Sequence, residues 1–160
     1  MDKSPPVAVA LESLGIPHQV FRHEGPVTSL EQAADERGQS PDQIIRSILF
    51  RIGQDAYRMV LVAGPDQISW RNLRKHLGRS RLTMAKPDEV LAVTGYRVGT
   101  VGPFGLAQPV PILVDRSVLD QDEVSLGSGV RGVAVIMRTD DLVAVLGDVE
   151  IVDLRRDENA

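Results

Sequence analysis

Two features of this chain bear on chemistry without forming any of the usual catalytic sets. The first is Thr94-Gly95-Tyr96-Arg97-Val98-Gly99-Thr100-Val101-Gly102-Pro103-Phe104-Gly105, with four glycines and a proline in twelve residues. Glycine lets a second backbone or a ligand approach closely, while proline holds φ near one value. Such a loop can offer bare N–H groups to a carbonyl or phosphate oxygen, and it can equally be a surface connection with turn chemistry. The second is Arg46, which interrupts Ile44-Ile45 and Ile48-Leu49-Phe50. Burying a guanidinium unpaired is expensive. Arg46 therefore either points outward or toward an acid, or is aimed into a pocket for an anionic or carbonyl-bearing ligand.

A third feature is electrostatic. Residues 71–86 carry Arg71, Arg74, Lys75, Arg79, Arg81 and Lys86, with His76 and no acid, on a chain of formal net charge −4. An overall acidic protein is a poor general coat for nucleic acid, but a local basic stripe suits one polyanion held at one face. It is also how a solvated helix face reads. His18 and His23 are five apart on an expected strand, hence on opposite faces, and a shared metal is not expected. No Walker lysine motif occurs, no Gly-x-Gly-x-x-Gly opens a helix, and no Ser/His/acid triad is assignable from order alone. No metal and no cofactor are expected.

The elements that must position these residues follow from caps, breakers and periodicity. Helices are expected over residues 4–14 with Ser4 as cap, from a Thr28 or Ser29 cap to Gly38, over 69–77, over 87–93, and over 140–146 behind a Thr139 cap. Strands are expected over 16–23, 44–50, 57–63, 110–114, 124–126, 132–137 and 149–154. Gly53-Gln54-Asp55 turns the second of these into the third as a hairpin. Residues 155–160 should fray. Strands outnumber helices and are scattered among them, which indicates an α+β domain with a mixed, largely antiparallel sheet. With 160 residues, 42% hydrophobic, 25% charged and no cysteine, the chain reads as one domain without disulfides. The start lacks the apolar core of a signal peptide and no run is long enough to span a membrane, so a cytoplasmic protein is expected.

Several collinear segments resemble the YbaK/prolyl-tRNA editing domain family of aminoacyl-tRNA deacylases. They are His23-Glu24 followed by Ser29-Leu30-Glu31-Gln32-Ala33-Ala34; Ile44 to Phe50; and Ala85-Lys86-Pro87-Asp88-Glu89-Val90, leading into Thr94-Gly95-Tyr96. Next come Gly99-x-x-Gly102-Pro103-Phe104-Gly105, Val114-Asp115, and Gly127-Ser128-Gly129-Val130-Arg131-Gly132. The resemblance covers roughly residues 7–154. It implies a single domain over 1–160, a partly barrel-like central sheet with flanking helices, and a pocket for the aminoacylated 3′ adenosine of a mischarged tRNA. It assigns catalysis to the position of Arg46 and to Gly99 and Gly102. Substrate contact falls to Ser47, Pro103, Phe104, Gly105, Ser128 and Gly129, and prolyl-tRNA synthetase is implied as a partner. The stripe residues Arg71, Arg74, Lys75 and Arg79 would meet the tRNA. Two departures stand out: Arg46 replaces the family's lysine, and Ala134 stands where an acid is common. Arginine keeps the charge but cannot shuttle a proton. A binding module without hydrolysis is the alternative.

Overall fold

Hydroxyl caps open two of the helices and glycines close most of them, in a computed structural model that describes residues 4–155. The order is α1 (Pro6–Ser13), β1 (Gln19–Arg22), α2 (Leu30–Arg37), β2 (Ile45–Ile52), β3 (Ala56–Ala63), α3 (Trp70–Leu77) and β4 (Leu82–Met84). It continues with α4 (Pro87–Thr94), β5 (Ile112–Asp115), β6 (Glu123–Gly127), β7 (Val133–Arg138), α5 (Thr139–Leu146) and β8 (Glu150–Val152). Ser29 accepts from the Gln32 N–H at the start of α2, and Ser69 from the Asn72 N–H at the start of α3; both helices end on a left-handed glycine. Each such cap is worth roughly 1 kcal/mol.

Three local expectations change. Pro5, not Ser4, occupies the cap position of α1, with Pro6 first in the helix. Thr139 is the first residue of α5 rather than its cap, because its N–H and hydroxyl donate to the carbonyls of Asp122 and Gln121. β4 has no counterpart among the expected strands. It is three residues long, flanked by polar residues, and gains its identity only by pairing with residues 50–52 of β2. The expected fraying of the tail falls largely on residues 156–160, outside the described residues.

β2 and β3 form an antiparallel hairpin in register from Ile45↔Ala63 to Ile52↔Ala56. They centre a five-stranded sheet, β4-β2-β3-β5-β8, in which β5 and β8 run parallel to their neighbours. A three-stranded antiparallel sheet, β1-β7-β6, adjoins it through one parallel bridge, Ile44↔Ser125. The result is a mixed α+β fold whose sheet is not closed.

Alternation along β2 divides the core. Ile45 and Leu49 face a large cluster with Val7 and Leu11 of α1, Val90 and Val93 of α4, Leu142 of α5, and the inner residues of β6 and β7. Phe50 and Ile52 face the other way, with Val60 and Val62 of β3 and Leu73 of α3. Burying a side chain such as Phe50 contributes roughly 1.5–3 kcal/mol. The basic helix α3 thus covers the sheet face remote from the smaller sheet.

Candidate active site

Where the two sheets meet, a cleft of about 850 Å³ opens. Its walls come from residues 44–47 at the start of β2, from Gly99 and Val101, from Leu126 and Gly127 at the end of β6, and from the 130–133 turn. The end of β1, the loop at 25–27 and Arg37 complete it. Four arginines (22, 37, 46 and 131) and His23 border this space, and among the described residues no carboxylate does.

Close backbone contacts join the glycine loop to the end of β6. The Gly129 N–H donates to the Thr100 carbonyl at 2.8 Å. A Cβ on Gly102 would lie 2.2 Å from the Gly127 carbonyl oxygen, and one on Gly127 would lie 2.1 Å from that of Val101. Only glycine permits this approach, so Gly102 is a packing requirement and is itself buried beneath the cleft. The contact leaves Gly99 and Val101 on the wall, with N–H groups that have no acceptor among the described residues.

Of the residues singled out in the sequence, Arg46, Ser47 and Gly99 border the cleft; Gly102, Pro103, Phe104, Gly105, Ser128 and Gly129 do not. Phe104 is a core residue whose carbonyl accepts from the Tyr96 hydroxyl at 2.6 Å. A Cβ on Gly105 or Gly129 would collide with Tyr96, at 2.7 and 2.8 Å. The Ser128 hydroxyl is spent inside its own turn, on the carbonyls of Val130 and Val133. Arg71, Arg74, Lys75 and Arg79 lie on or just after α3, and none of them borders the cleft.

Arg46 and Ser47 diverge, as successive strand residues must. Arg46 shares the side of Phe50; its Nε donates to the Gly64 carbonyl at 2.8 Å and its Nη2 to the Asp66 carbonyl. Desolvation holds this guanidinium below the ordinary arginine value while Asp66 opposes the shift. Ser47 shares the side of Ile45 and Leu49, where its hydroxyl oxygen is buried without a hydrogen-bond partner. Such an orphan in a cleft wall is costly unless something fills it.

Arg37 is a site residue that no motif in the sequence marks. It sits in the last turn of α2, and its Nε donates to His23 Nε2 at 3.0 Å while its Nη1 donates to Ser125 Oγ at 2.9 Å. His23 has no exposed side-chain surface, and its Nδ1 lies 2.8 Å from Glu36. Glu36 is also hydrogen-bonded by Gln32, and these bonds, led by that of His23, lower its carboxyl pKa. Because Nε2 accepts, Nδ1 must carry the proton: this is a neutral histidine with both nitrogens used. Burial lowers the Arg37 pKa, with Glu36 opposing. Among the described residues, no group of three or more His, Cys, Asp or Glu stands close enough to hold a metal ion, and no helix is long and apolar enough to cross a membrane.

Comparison with known proteins agrees with this architecture. Over 125 residues the chain is 31% identical to the uncharacterized protein YwhH of Bacillus subtilis, covering 78% of this chain and 79% of that one. It is 35% identical over 92 residues to a proline–tRNA ligase of Kosmotoga olearia, covering 58% of this chain but 16% of the ligase. A solved structure proposed as a trans-editing enzyme for prolyl tRNA synthetase superposes with a TM-score of 0.87 at 26% identity, covering 98% and 100% of the two chains. The hypothetical protein APE2540 superposes with a TM-score of 0.84 at 21% identity, over 94% and 99%, a likeness of fold. Residues 24–145 match the family described as the aminoacyl-tRNA editing domain, and the chain belongs to that family.

Proposed function

We propose that this protein is a trans-acting deacylase that hydrolyses the ester of a mischarged aminoacyl-tRNA, of the prolyl-tRNA editing type. The observation that carries the reading is the cleft itself: cation-rich and, among the described residues, free of carboxylates and of partners for the Ser47 hydroxyl and the Gly99 and Val101 amides on its walls.

The chemistry asks for little more. Water, held against the neighbouring ribose hydroxyl, attacks the ester carbonyl carbon. The bond from that carbon to the ribose oxygen breaks, the ribose hydroxyl is regained, and with water as nucleophile the amino acid leaves as its carboxylate. The negative charge that develops on the carbonyl oxygen is met by backbone N–H groups and the Ser47 hydroxyl, donors that need no reorganisation. His23 has no free nitrogen with which to act as a base. Positioning of the nucleophile in a tight cleft supplies the remainder. Arg46 adds positive potential to one wall. The exposed cations of α3 lie on a different face and would engage the tRNA body.

Similarity to proline–tRNA ligase and to the proposed trans-editing enzyme supports tRNA for proline as the carrier and prolyl-tRNA synthetase as a partner. The test is direct: incubate the purified full chain with a panel of tRNAs, tRNA for proline among them, each carrying a wrong amino acid, and follow ester loss. Acceleration with at least one is expected; none with any removes the enzyme.

A non-hydrolytic binding module is the second reading, and the engagement of Arg46 by two backbone carbonyls favours it. Under that reading wild type is nearly inert and Arg46→Lys gains hydrolysis. For an active wild-type enzyme, the same change has little or adverse effect.

A further inference from the structure

Arg37 is built into the cleft with unusual care for a helix-end arginine. Its guanidinium has five N–H donors, and the structure commits two, one to His23 Nε2 and one to Ser125 Oγ. Three donors remain on a side chain that borders the open space. The two commitments fix the plane of the fork. Glu36 fixes the histidine tautomer that makes the first commitment, and Gln32 in turn holds Glu36. Arg46, by contrast, spends its donors on the 64–66 turn from the other face of β2.

From this we infer that Arg37 is the seat for a phosphate of the substrate, namely the phosphodiester on the 5′ side of the terminal adenosine, with His23, Glu36 and Ser125 as positioning residues. The inference rests on the deacylase reading, and it names the cation that fixes the substrate's 3′ end. A planar fork held at one edge offers its other N–H groups in parallel, the geometry that phosphate oxygens accept bidentately. Among the described residues, no carboxylate borders the cleft to compete for those donors. An arginine used in this way binds ground state and transition state alike, so it acts on KM more than on kcat.

The test uses adenosine 5′-monophosphate, whose phosphate stands in for that diester, against adenosine, each titrated calorimetrically into the full chain. Wild type should prefer the nucleotide by about tenfold, the effect of one charge-assisted hydrogen-bonded pair. Arg37→Ala should reduce the preference to within about twofold while leaving adenosine affinity unchanged. Arg37→Gln keeps an N–H donor for His23 without the charge and should behave in the same way, which separates removal of charge from failure to fold. Glu36→Ala should lose part of the preference and Glu36→Gln should recover it. A wild type with no preference, or either Arg37 variant retaining tenfold, overturns the inference. Ester hydrolysis measured on wild type decides the deacylase reading separately: hydrolysis that persists beside an Arg37-independent preference sinks only the seat.

Discussion

Arg37 and Arg71 are both arginines on eight-residue helices, yet the fold treats them differently. Arg37 is half-buried, tied to a histidine 14 residues away and a serine 88 residues away, and borders the cleft. Arg71 is exposed, on a helix whose one buried residue is Leu73. The cleft side of the molecule is assembled from long-range hydrogen bonds and close glycine approaches. The α3 side is an amphipathic helix laid on a sheet by one leucine and its half-buried neighbours. Charge in the first region is fixed by those bonds, whereas charge in the second is a field on flexible stems, weakened by salt.

The contrast can be broken most forcefully at Gly102. Gly102→Ala drives a methyl into the Gly127 carbonyl and should cost more than about 3 kcal/mol, read as a lowered melting temperature with loss of ester hydrolysis. A mutant of wild-type stability would show that the loop can shift. On the other side, Leu73→Ala should cost about 2–5 kcal/mol in denaturant unfolding while leaving kcat of the remaining folded protein unchanged. Ser125→Ala removes the partner of a partly buried N–H and should cost about 1–3 kcal/mol, with a raised KM for aminoacyl-tRNA.

Replacing Arg71, Arg74, Lys75 and Arg79 together by glutamine should alter stability by less than about 0.5 kcal/mol per site. If the stripe meets tRNA, the slope of log affinity against log salt falls by roughly 0.9 for each phosphate no longer engaged, with kcat untouched. An unchanged slope leaves that helix a solvated face. The smallest effect concerns pH. The Glu36 carboxyl titrates below its ordinary range because His23 and Gln32 donate to it. Its contribution to stability is present above the unfolded pKa and is lost as pH falls through the folded one. Glu36→Gln should flatten stability across that acid window, lowering it slightly at neutral pH and leaving it unaffected below the folded pKa.

The same two regions differ in how far the sequence reveals them. Ser69, Gly78 and the uninterrupted basic run make α3 readable, because caps and periodicity are local. The β2–β3 hairpin is readable for the same reason, through Gly53-Gln54-Asp55. The glycine loop is visible as a loop, but its meeting with Gly127 is not, since 25 residues separate Gly102 from Gly127. Arg37 is invisible: within Asp35-Glu36-Arg37 it looks like any polar helix end, and only tertiary folding brings His23 and Ser125 to it. The apolar run around Arg46 marks that arginine as unusual without saying where it points. The orientation lies in the parity of the strand, where Ile45 and Leu49 alternate against Phe50 and so separate Arg46 from Ser47. Which donors stay unsatisfied, as at Ser47 and Val101, depends on what the rest of the chain fails to reach, and no local pattern encodes that.

The reciprocal approach of Gly102 and Gly127 has an evolutionary consequence. Backbone and the buried Val7 side chain fill that junction, so substitutions at Val27, Val101 or Val130 can widen, narrow or recontour the chamber while the amide framework stays put. Selectivity and reactivity can then drift independently, and one ancestral scaffold could be retuned to different cargoes without rebuilding its floor.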